Sequence, residues 1–341
     1  MRAATLFGAR DLRVVETEDA ILGPQDVRVA VARVGLCGSD THFFAHGRVG
    51  AFALDGPLVI GHEASGVVVE VGGQVHNVRV GDRVAMEPGR PCGTCPACRD
   101  GGYNLCSKIE FPGLPPNPGF LAERAVIPER CAHPIPSDIT LEDGALLEPL
   151  SVALWANSRA PVPFGGRVLV AGAGPIGLLV ARVARAAGAA EVTVADLDSA
   201  RVAALAGEPL VTAVDVSKGW GGIDDTFDRY FECTGAPEAL TEGLRHLRRH
   251  GWAVVVGIPP SPEMMIPAAP MRFRELSITY SFRYADTWPT AIDVVARGIV
   301  RVDDLVTSRY RLDDVTAAFR ACLDHQAGVK AMMLVGSVDE P

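Results

Sequence analysis

The first part of the chain, up to about residue 150, alternates short β-branched runs with Gly, Pro and Asp. Val27–Val34 reads V-R-V-A-V-A-R-V, Gly66–Val71 reads G-V-V-V-E-V, and Val80–Val84 is a third run of this kind. Alternation with a period of two is typical of strands with one buried face, and the breakers between the runs favour turns. The pattern therefore predicts an all-β, barrel-like unit.

The hydrophobic pattern changes in the middle of the chain, where continuous apolar runs predict buried strands. An Ala-rich helix that ends near residue 187 and a second helix over Pro237–His250 lie between these strands. The predicted strands are Arg167–Ala171, Glu191–Ala195, Phe227–Cys233 and Trp252–Val256. Strands that alternate with helices form βαβ units, so this part of the chain predicts a parallel sheet.

The last part of the chain, after about residue 283, contains two helical patterns and a final strand. The helices are predicted over Trp288–Arg297 and Asp313–Leu323, and the strand over Val329–Val335. The proline-rich segment Phe111–Gly119 predicts a loop. Two hydrophobicity patterns within 341 residues indicate two domains.

Composition and charge narrow the class of protein. The chain has 48% hydrophobic residues and 32 basic against 41 acidic residues, a net charge of −9. A negative chain without a basic run is not expected to bind nucleic acid or an anionic membrane surface. No apolar run approaches the roughly 20 residues of a membrane span, and Met1–Arg10 lacks the apolar core of a secretion signal. These features predict a cytoplasmic enzyme or binding protein.

A glycine loop follows the first strand of the predicted parallel sheet. Gly172-Ala173-Gly174-Pro175-Ile176-Gly177 fits G-x-G-x-x-G, and Asp196 ends the next strand, 19 residues after the last glycine. Such a loop places a dinucleotide pyrophosphate at a helix N-terminus, and an acid at that distance binds the adenosine ribose. The carboxylate of Asp196 favours NAD over NADP, although Arg201 weakens this preference. The alternative is a glycine turn in an unrelated α/β protein.

Four cysteines form a compact cluster, Cys92-x2-Cys95-x2-Cys98-x7-Cys106. Four thiolates at this spacing can close a tetrahedron around zinc, and a filled set of ligands is typical of a structural site. The alternatives are free thiols or an iron–sulfur cluster. The sequence therefore predicts a structural zinc in this loop.

A second group of metal-ligating residue types is scattered along the chain. It consists of Cys37, Ser39 and His42, then His62 and Glu63, then Glu148. One thiolate, one imidazole and a carboxylate leave a coordination position open, as in catalytic zinc sites. Taken singly, Cys37 is equally explained as a small buried side chain and His62 as a structural residue.

A cation and two hydroxyl groups lie next to aromatic residues in the sequence of Ser281, Phe282, Arg283 and Tyr284. This combination suits a polar substrate. An exposed Arg at an ordinary strand end explains the same residues without any function. The residues alone do not decide between these two interpretations.

Together these motifs resemble the zinc-containing medium-chain dehydrogenase/reductase family, and within it the polyol (sorbitol) dehydrogenase branch. The resemblance covers essentially the whole chain. It rests on C-G-S-D-T-H at Cys37–His42, G-R-V-G-A-F at Gly47–Phe52, G-H-E-A-S-G at Gly61–Gly66, G-D-R-V-A-M-E-P-G at Gly81–Gly89, G-A-L-L-E-P-L-S-V-A at Gly144–Ala153, G-A-G-P-I-G at Gly172–Gly177 and F-R-Y-A-D-T-W-P at Phe282–Pro289.

The resemblance implies a fold, an assembly and two cofactors. It implies a GroES-like β-barrel catalytic domain over residues 1–153 and 284–341, and a Rossmann NAD-binding domain with a doubly wound parallel sheet over residues 154–283. The implied cofactors are two zinc ions per chain, one catalytic and one structural, and NAD. A homotetramer without nucleic-acid or membrane partners is also implied, by family analogy only.

The resemblance also implies a role for each site residue. Cys37, His62 and Glu63 would ligate the catalytic zinc, while Glu148 would either ligate it or hold a water on it. Ser39, the nicotinamide ribose and His42 would relay the alcohol proton to solvent. Phe43, Glu148, Arg283 and Tyr284 would contact a polyol substrate. The implied cofactor contacts are Gly172, Gly174, Pro175, Ile176, Gly177, Asp196, Arg201, Thr234, Val256, Gly257, Ile258, Ser281, Phe282 and Arg283.

The predicted activity is hydride transfer from a secondary alcohol of a polyol to NAD, which gives a ketose. The alternatives are the same chemistry on a cyclitol, a 3-hydroxy amino acid or a biosynthetic intermediate, and a non-catalytic NADH-binding protein. Two departures from the family pattern bear on this. Phe43 stands where related enzymes have a tyrosine, and the interval between Asp196 and Phe227 is short, so a trimmed strand–helix unit is expected there.

Overall fold

The computed structural model describes residues 1–209, 211–224, 226–261 and 263–336, and the chain forms two compact units. The first comprises Met1–Glu148 and the segment from Val302 onward, and the second comprises Pro149–Arg301. These units divide at 148/149 and 301/302. The domain boundaries at 153/154 and 283/284 stay a prediction. Arg182 donates to the carbonyl oxygen of Arg301 at 2.8 Å, a contact within the second unit. Residues 337–341 of the predicted first domain lie outside the described residues.

Up to residue 148, the first unit is built from short strands and helices, and the last of these helices continues into the second unit. Its strands are β1 (Arg2–Gly8), β2 (Asp11–Glu16), β3 (Asp26–Gly35), β4 (Arg48–Val49), β5 (Phe52–Ala53), β6 (Leu58–Val59), β7 (Glu63–Val71), β8 (Arg83–Met86), β9 (Arg124–Pro128) and β10 (Ala132–Pro134). Its helices are α1 (Gly38–His46), α2 (Pro96–Arg99) and α3 (Leu141–Arg159). Short 3-10 turns lie at Tyr103–Leu105, Glu129–Cys131 and Leu312–Asp314.

The second unit alternates strands and helices, and the chain then returns to the first unit. The strands of the second unit are β11 (Arg167–Ala171), β12 (Glu191–Asp196), β13 (Val211–Asp215), β14 (Phe227–Glu232), β15 (Leu247–Val255) and β16 (Ser277–Tyr280). Its helices are α4 (Pro175–Ala186), α5 (Ser199–Ala204), α6 (Pro237–Arg245), α7 (Ala268–Arg274) and α8 (Trp288–Ala296). The returning segment adds β17 (Val306–Arg311), α9 (Val315–Leu323) and β18 (Lys330–Leu334).

Antiparallel pairing dominates the first unit, as the alternating pattern predicts. The main sheet runs β10-β8-β7-β3-β18-β17, with β9 also paired to β3, and a second sheet runs β2-β1-β6. Among the described strands of this unit, β17 and β18 are the one pair that runs in parallel. Valines of β3 at alternate positions are fully buried in a core that also includes Phe44 and Phe319. The returning strand β18 pairs antiparallel with the end of β3, opposite Gly35.

The second unit contains one parallel sheet in the order β13-β12-β11-β14-β15-β16. This order places β11 between β12 and β14, with the chain running outward on both sides, so the loop after β11 lies where the strand order reverses. Ligands of doubly wound sheets bind at that point, outside the carboxyl ends of the strands. The structure therefore confirms the predicted α/β class, with a β-barrel-like unit and a Rossmann-type sheet.

Two local predictions need correction. The helix predicted over Pro237–His250 ends at Arg245, because β15 begins at Leu247 and pairs with β14 from that residue. The short interval after Asp196 keeps its strand, β13, but no helix is present between β13 and β14 within the described residues of that interval. The trimming therefore affects the helical connection and leaves the six-stranded sheet complete.

Candidate active site

Three of the scattered metal-ligating residues lie together in the first unit. One ligand atom each of Cys37, His62 and Glu63 lies within 4.8 Å of the other two. His62 and Glu63 are buried, and Cys37 is half-buried. A thiolate, an imidazole and a carboxylate at these distances suit a tetrahedral Zn²⁺, which takes such ligands at about 2.0–2.3 Å. The donor set therefore fits a zinc ion.

The backbone of two neighbouring strands brings these ligands together. Cys37 follows β3 and precedes α1, and Glu63 begins β7, directly opposite Gly35 of β3. A Cβ at Gly35 would lie 2.3 Å from the Glu63 carboxylate and 3.1 Å from Cε of Lys330. Glycine at this position is therefore required for the buried carboxylate to lie over β3.

Asp40 orients the imidazole of His62. Its Oδ1 lies 3.2 Å from Nδ1 of His62, and its Oδ2 accepts the backbone N–H of Cys37 at 3.2 Å. Asp40 is itself buried, and the ring of Phe111 packs against His62 at 5.5 Å. A carboxylate on Nδ1 leaves Nε2 as the ligating nitrogen, which is the usual arrangement behind a metal-bound histidine.

The electrostatics of His62 follow from this arrangement. Burial disfavours the charged imidazole, but the Asp40 carboxylate and the neighbouring Cys37 sulfur outweigh burial and raise the pKa of His62 well above its ordinary value. The pocket thus favours positive charge at the position of the three ligand atoms. A divalent cation there supplies that charge and leaves the imidazole neutral, as ligation requires.

Lys330 is a buried cation that sequence reasoning missed. Its Nζ lies 2.7 Å from Oε1 and 2.5 Å from Oε2 of Glu63, and only 4% of the residue is exposed. Burial opposes the ammonium charge, but attraction to Glu63 outweighs burial and raises the pKa of Lys330 above its ordinary value. The pair is separated by 267 residues, and only the position of Lys330 at the start of the predicted last strand could have drawn attention to it.

The other predicted residues of the first unit differ in their placement. Glu148 is buried in α3, and its charge also acts on Lys330, but it is not part of the group of three ligands. Ser39 is half-buried on α1, and His42 is exposed on the same helix. Phe43 is only 2% exposed and belongs to the hydrophobic core. The structure therefore places Phe43 in the core, and its contact with substrate stays a prediction.

The four clustered cysteines also lie together. The Sγ atoms of Cys92 and Cys98 are 4.0 Å apart, those of Cys95 and Cys98 are 3.4 Å apart, and those of Cys92 and Cys106 are 3.5 Å apart. Four sulfurs about 2.3 Å from one zinc ion would be about 3.8 Å from each other. All four cysteines are free of disulfides. The geometry therefore fits one tetrahedral metal ion.

Electrostatics in this loop also indicate a cation. Hydrogen bonds from the backbone and side chain of Thr94 lower the pKa of Cys92 to about 5, and the backbone of Cys98 lowers the pKa of Cys95. Desolvation and the neighbouring sulfurs instead raise the pKa of Cys98 to about 12. Adjacent thiolates repel each other, so the full set of four is stable only with a positive ion between them.

The predicted glycine loop lies at the carboxyl end of β11. Gly172 has φ of +102°, and a Cβ on Gly177 would lie 1.8 Å from the carbonyl oxygen of Gly172. Gly174 is the N-cap of α4, and a Cβ there would meet only Arg201, at 3.9 Å. The loop thus presents the start of a helix with open space above it, which suits a pyrophosphate.

Asp196 ends β12 beside this loop. Its Oδ2 accepts the backbone N–H of Ala173 at 2.6 Å, and its Oδ1 accepts the N–H of Asp198 at 2.8 Å. Its side chain remains half-exposed. A carboxylate at this edge can accept ribose hydroxyls and repels a 2′-phosphate.

The remaining predicted cofactor residues follow the carboxyl ends of three further strands. Thr234 follows β14, Val256, Gly257 and Ile258 follow β15, and Ser281, Phe282 and Arg283 follow β16. Parallel strands end at the same edge of a sheet, so the structure brings all of these residues to the edge that holds the glycine loop. Thr234, Ile258 and Phe282 are exposed there.

Arg283 and Tyr284 lie in a constrained turn of the second unit. Arg283 has φ of +51°, which is strained for a residue with a side chain. Its guanidinium lies over the ring of Phe282 at 4.9 Å. Tyr284 is buried and packs edge-on against Trp288 at 6.0 Å.

Comparison with known proteins agrees with this geometry. Residues 23–137 match the model of the alcohol dehydrogenase GroES-like domain, and residues 175–297 match the model of zinc-binding dehydrogenases. Sorbitol dehydrogenase of Rattus norvegicus is 38% identical over 96% of this chain and 94% of that protein. L-idonate 5-dehydrogenase of Vitis vinifera is 37% identical over 97% of this chain and 93% of that protein.

The chain belongs to the zinc-containing medium-chain dehydrogenase/reductase family. It is an oxidoreductase with the GroES-like domain and Rossmann-type sheet of that family, and it resembles the sorbitol dehydrogenase branch. The sequence-based recognition of the family and of a zinc-dependent dehydrogenase is confirmed.

Solved structures extend the comparison to the cofactor. A zinc-binding dehydrogenase of Sinorhizobium meliloti, solved with NADP, superimposes with a TM-score of 0.88 at 28% identity and covers 98% of both chains. A protein from Escherichia coli CFT073 that is described as a short chain alcohol dehydrogenase, solved with NADH, gives 0.87 at 28% identity, covering 98% of this chain and 99% of that chain. Proteins of similar structure are therefore known with NADP or NADH bound, and one of them is described as zinc-binding.

Across residues 1–209, 211–224, 226–261 and 263–336, no helix is long and apolar enough to cross a membrane. The cytoplasmic location stays a prediction.

Proposed function

We propose that the protein oxidises a secondary alcohol of a polyol, such as sorbitol or xylitol, to a ketose with NAD as the hydride acceptor. The observation that carries the proposal is the group formed by Cys37, His62 and Glu63, with Glu148 buried nearby on α3. The relatives named for sorbitol and L-idonate support a polyhydroxy substrate.

Cys37, His62 and Glu63 would hold the catalytic zinc. When bound, zinc acts as a Lewis acid that lowers the pKa of an alcohol hydroxyl, and the nicotinamide accepts the hydride. Asp40 keeps His62 oriented for ligation, and the ammonium of Lys330 holds the carboxylate of Glu63 in place. Glu148 would bind the substrate hydroxyl or a water beside the ion.

The alcohol proton would leave through α1. Ser39, two residues after the ligand Cys37, would accept the proton, and His42 would release it to solvent. Both residues lie on one helix, Ser39 half-buried and His42 exposed, so the helix leads from the ligand group to water. Histidine suits the outer position because its ordinary pKa is near neutrality.

Arg283 and Tyr284 would bind the hydroxyls of the polyol that do not react. A guanidinium and a phenol can donate several hydrogen bonds, and a polyhydroxy substrate offers acceptors for them that a simple alcohol lacks. This is the physical basis for proposing a polyol over a plain alcohol. Phe43, the further substrate contact that the resemblance implies, lies in the core.

We also propose two zinc ions per chain and a preference for NAD. The cluster of Cys92, Cys95, Cys98 and Cys106 would hold the second, structural ion. The half-exposed carboxylate of Asp196 supports NAD, because its charge disfavours the extra phosphate of NADP.

The protein is also proposed to form a homotetramer, and the exposed sheet edge of the second unit supports this. Strand β16 is the outer strand of the parallel sheet, and Tyr280 on it is 60% exposed. Met265 and Phe273, which precede this strand, are 89% and 70% exposed. An open strand with exposed apolar side chains is suited to pairing with a second copy. Sedimentation that shows a stable monomer would overturn this assembly.

The activity is tested by following NADH formation with sorbitol, xylitol, ribitol, galactitol, myo-inositol and threonine, in parallel with NADP. We expect turnover of an open-chain polyol with NAD. Turnover of only myo-inositol or threonine would move the substrate to a cyclitol or a hydroxy amino acid.

The catalytic metal is tested with Cys37→Ser, which we expect to abolish turnover while NADH still binds. Cys131→Ser is the matched control, because Cys131 is buried and lies outside both metal groups. Full activity in Cys37→Ser would overturn the catalytic zinc. A wild-type protein that binds NADH, holds no metal at Cys37 and turns over nothing would be a non-catalytic NADH-binding protein.

A further inference from the structure

Glu232 is a buried carboxylate to which the proposed chemistry gives no role. It is the last residue of β14 and is only 1% exposed. Its Oε1 accepts hydrogen bonds from the backbone N–H of Thr234 at 2.6 Å, the hydroxyl of Thr234 at 2.5 Å and the N–H of Gly235 at 2.9 Å. Three donors on one oxygen fix the turn that follows β14.

The backbone of Glu232 holds a second loop. Its carbonyl oxygen accepts the N–H of Val256 at 2.8 Å and the N–H of Gly257 at 3.0 Å, just after β15. One residue therefore connects the loop 233–235 to the loop 256–258. Its side chain fixes the first of these loops and its main chain fixes the second.

The two loops cross at a pair of glycines. A Cβ on Gly257 would lie 2.1 Å from the backbone nitrogen of Gly235 and 2.8 Å from Oε2 of Glu232. A Cβ on Gly235 would lie 2.2 Å from the carbonyl oxygen of Ile258. Neither position can take a larger residue without moving the other loop, so the crossing is closely packed.

The order of strands in the sheet indicates which half of the dinucleotide lies near this crossing. Asp196, the ribose-binding candidate, ends β12 on one side of the glycine loop, whereas β14 and β15 lie on the other side of β11. A dinucleotide whose adenosine lies near β12 and whose pyrophosphate lies over the loop after β11 extends toward β14 and β15. The nicotinamide half therefore meets the crossed loops.

We propose that Glu232 is a positioning residue for the nicotinamide half of the cofactor. By holding the loops 233–235 and 256–258 together, it sets the backbone against which that half binds. The inference rests on the proposed dinucleotide site and extends it to a residue outside the predicted cofactor set. The side chain of Glu232 points into the crossing, so it acts through Thr234 and Gly235.

The test compares binding of the whole cofactor with binding of its adenosine half. NADH affinity is measured by fluorescence and ADP affinity by calorimetry, for wild type, Glu232→Ala and Glu232→Gln. We expect Glu232→Ala to weaken NADH binding at least tenfold and to change ADP binding less than twofold. Because all three donors meet one oxygen, the amide carbonyl of Glu232→Gln should keep NADH affinity within about threefold of wild type.

Glu238→Gln is the matched control, since Glu238 is exposed at the start of α6, and it should leave both affinities unchanged. Thr234→Val gives a second measurement if Glu232→Ala folds poorly. It removes one donor and keeps the carboxylate, and a smaller loss of NADH affinity is expected, again without a change for ADP.

Three outcomes would overturn the inference. These are unchanged NADH affinity in Glu232→Ala, an equal loss of NADH and ADP affinity, and Glu232→Gln binding NADH as weakly as Glu232→Ala. A wild-type protein that binds neither NADH nor ADP would instead contradict the proposed dinucleotide site itself. The two failures are therefore distinguishable.

Discussion

The ammonium of Lys330 lies between the two carboxylate oxygens of Glu63, at 2.7 Å and 2.5 Å, and both side chains are almost fully buried. Glu63 is also one of the three proposed zinc ligands. A buried carboxylate without a counter-charge costs several kcal/mol. Lys330 and a metal ion at Cys37 and His62 would therefore both stabilise the same buried charge.

This relationship predicts the behaviour of Lys330→Met. Removing the ammonium should destabilise the chelator-treated protein by roughly 3–5 kcal/mol, because it leaves Glu63 uncompensated. Added Zn²⁺ should then raise the melting temperature of Lys330→Met by more than it raises that of wild type. Thermal unfolding with and without Zn²⁺ checks both statements. Lys218→Met, at an exposed position of the second unit, is the control, and equal zinc stabilisation in all three proteins would contradict the prediction.

The second prediction concerns Asp40, whose carboxylate orients His62 and caps the N–H of Cys37. Asp40→Asn keeps the size of the side chain but removes its charge. We expect affinity for one zinc ion to fall about 10- to 100-fold, as is typical when the partner of a ligating histidine is changed. Zinc content measured against a graded chelator checks this. The ion at the four cysteines should stay bound, and Asp55→Asn, at an exposed position, should lose neither.

Local patterns in the sequence predicted much of the fold, but they could not predict the contact between Lys330 and Glu63. Alternation in Val27–Val34 was sufficient to predict β3, and the spacing from Cys92 to Cys106 was sufficient to predict a metal loop, because both are local patterns. Lys330 pairs with Glu63 across 267 residues, and only the pairing of β18 with β3 brings the two together. Hydrophobic patterns and short motifs carry no information about contacts between residues that lie this far apart in the chain.

Burial was harder to predict than the motifs themselves. Phe43 follows His42 in a motif that the family associates with substrate, yet the helical spacing of α1 turns it inward, away from the exposed face of His42. The prediction that α6 extends to His250 is wrong for a related reason. Leu247 continues the helical spacing of Leu240 and Leu244, but pairing with β14 assigns it to β15.

The third prediction separates structural from catalytic metal. Cys95→Ser should release one zinc ion per chain and lower the melting temperature, because metal binding in such a loop is coupled to local folding. At a temperature where the variant remains folded, turnover per remaining zinc ion should stay close to that of wild type. Zinc content, thermal unfolding and initial rates check these statements. A loss of turnover with unchanged melting would contradict the structural role of the four cysteines.

The last prediction concerns cofactor choice at the end of β12. Asp196→Ala removes the carboxylate that faces the ribose position, so we expect the KM for NAD to rise about tenfold and the preference over NADP to fall. Asp293→Ala is the control, because Asp293 is exposed on α8, where its carboxylate lies 3.1 Å from the guanidinium of Arg297. Loss of that pair should cost less than about 0.5 kcal/mol of stability and leave the NAD/NADP ratio unchanged. Steady-state kinetics with both cofactors, together with thermal unfolding, separate the two effects. If Asp196→Ala kept the wild-type ratio, the specificity would have to come from groups other than this carboxylate, and Arg201, which lies beside Gly174, would be the next residue to change.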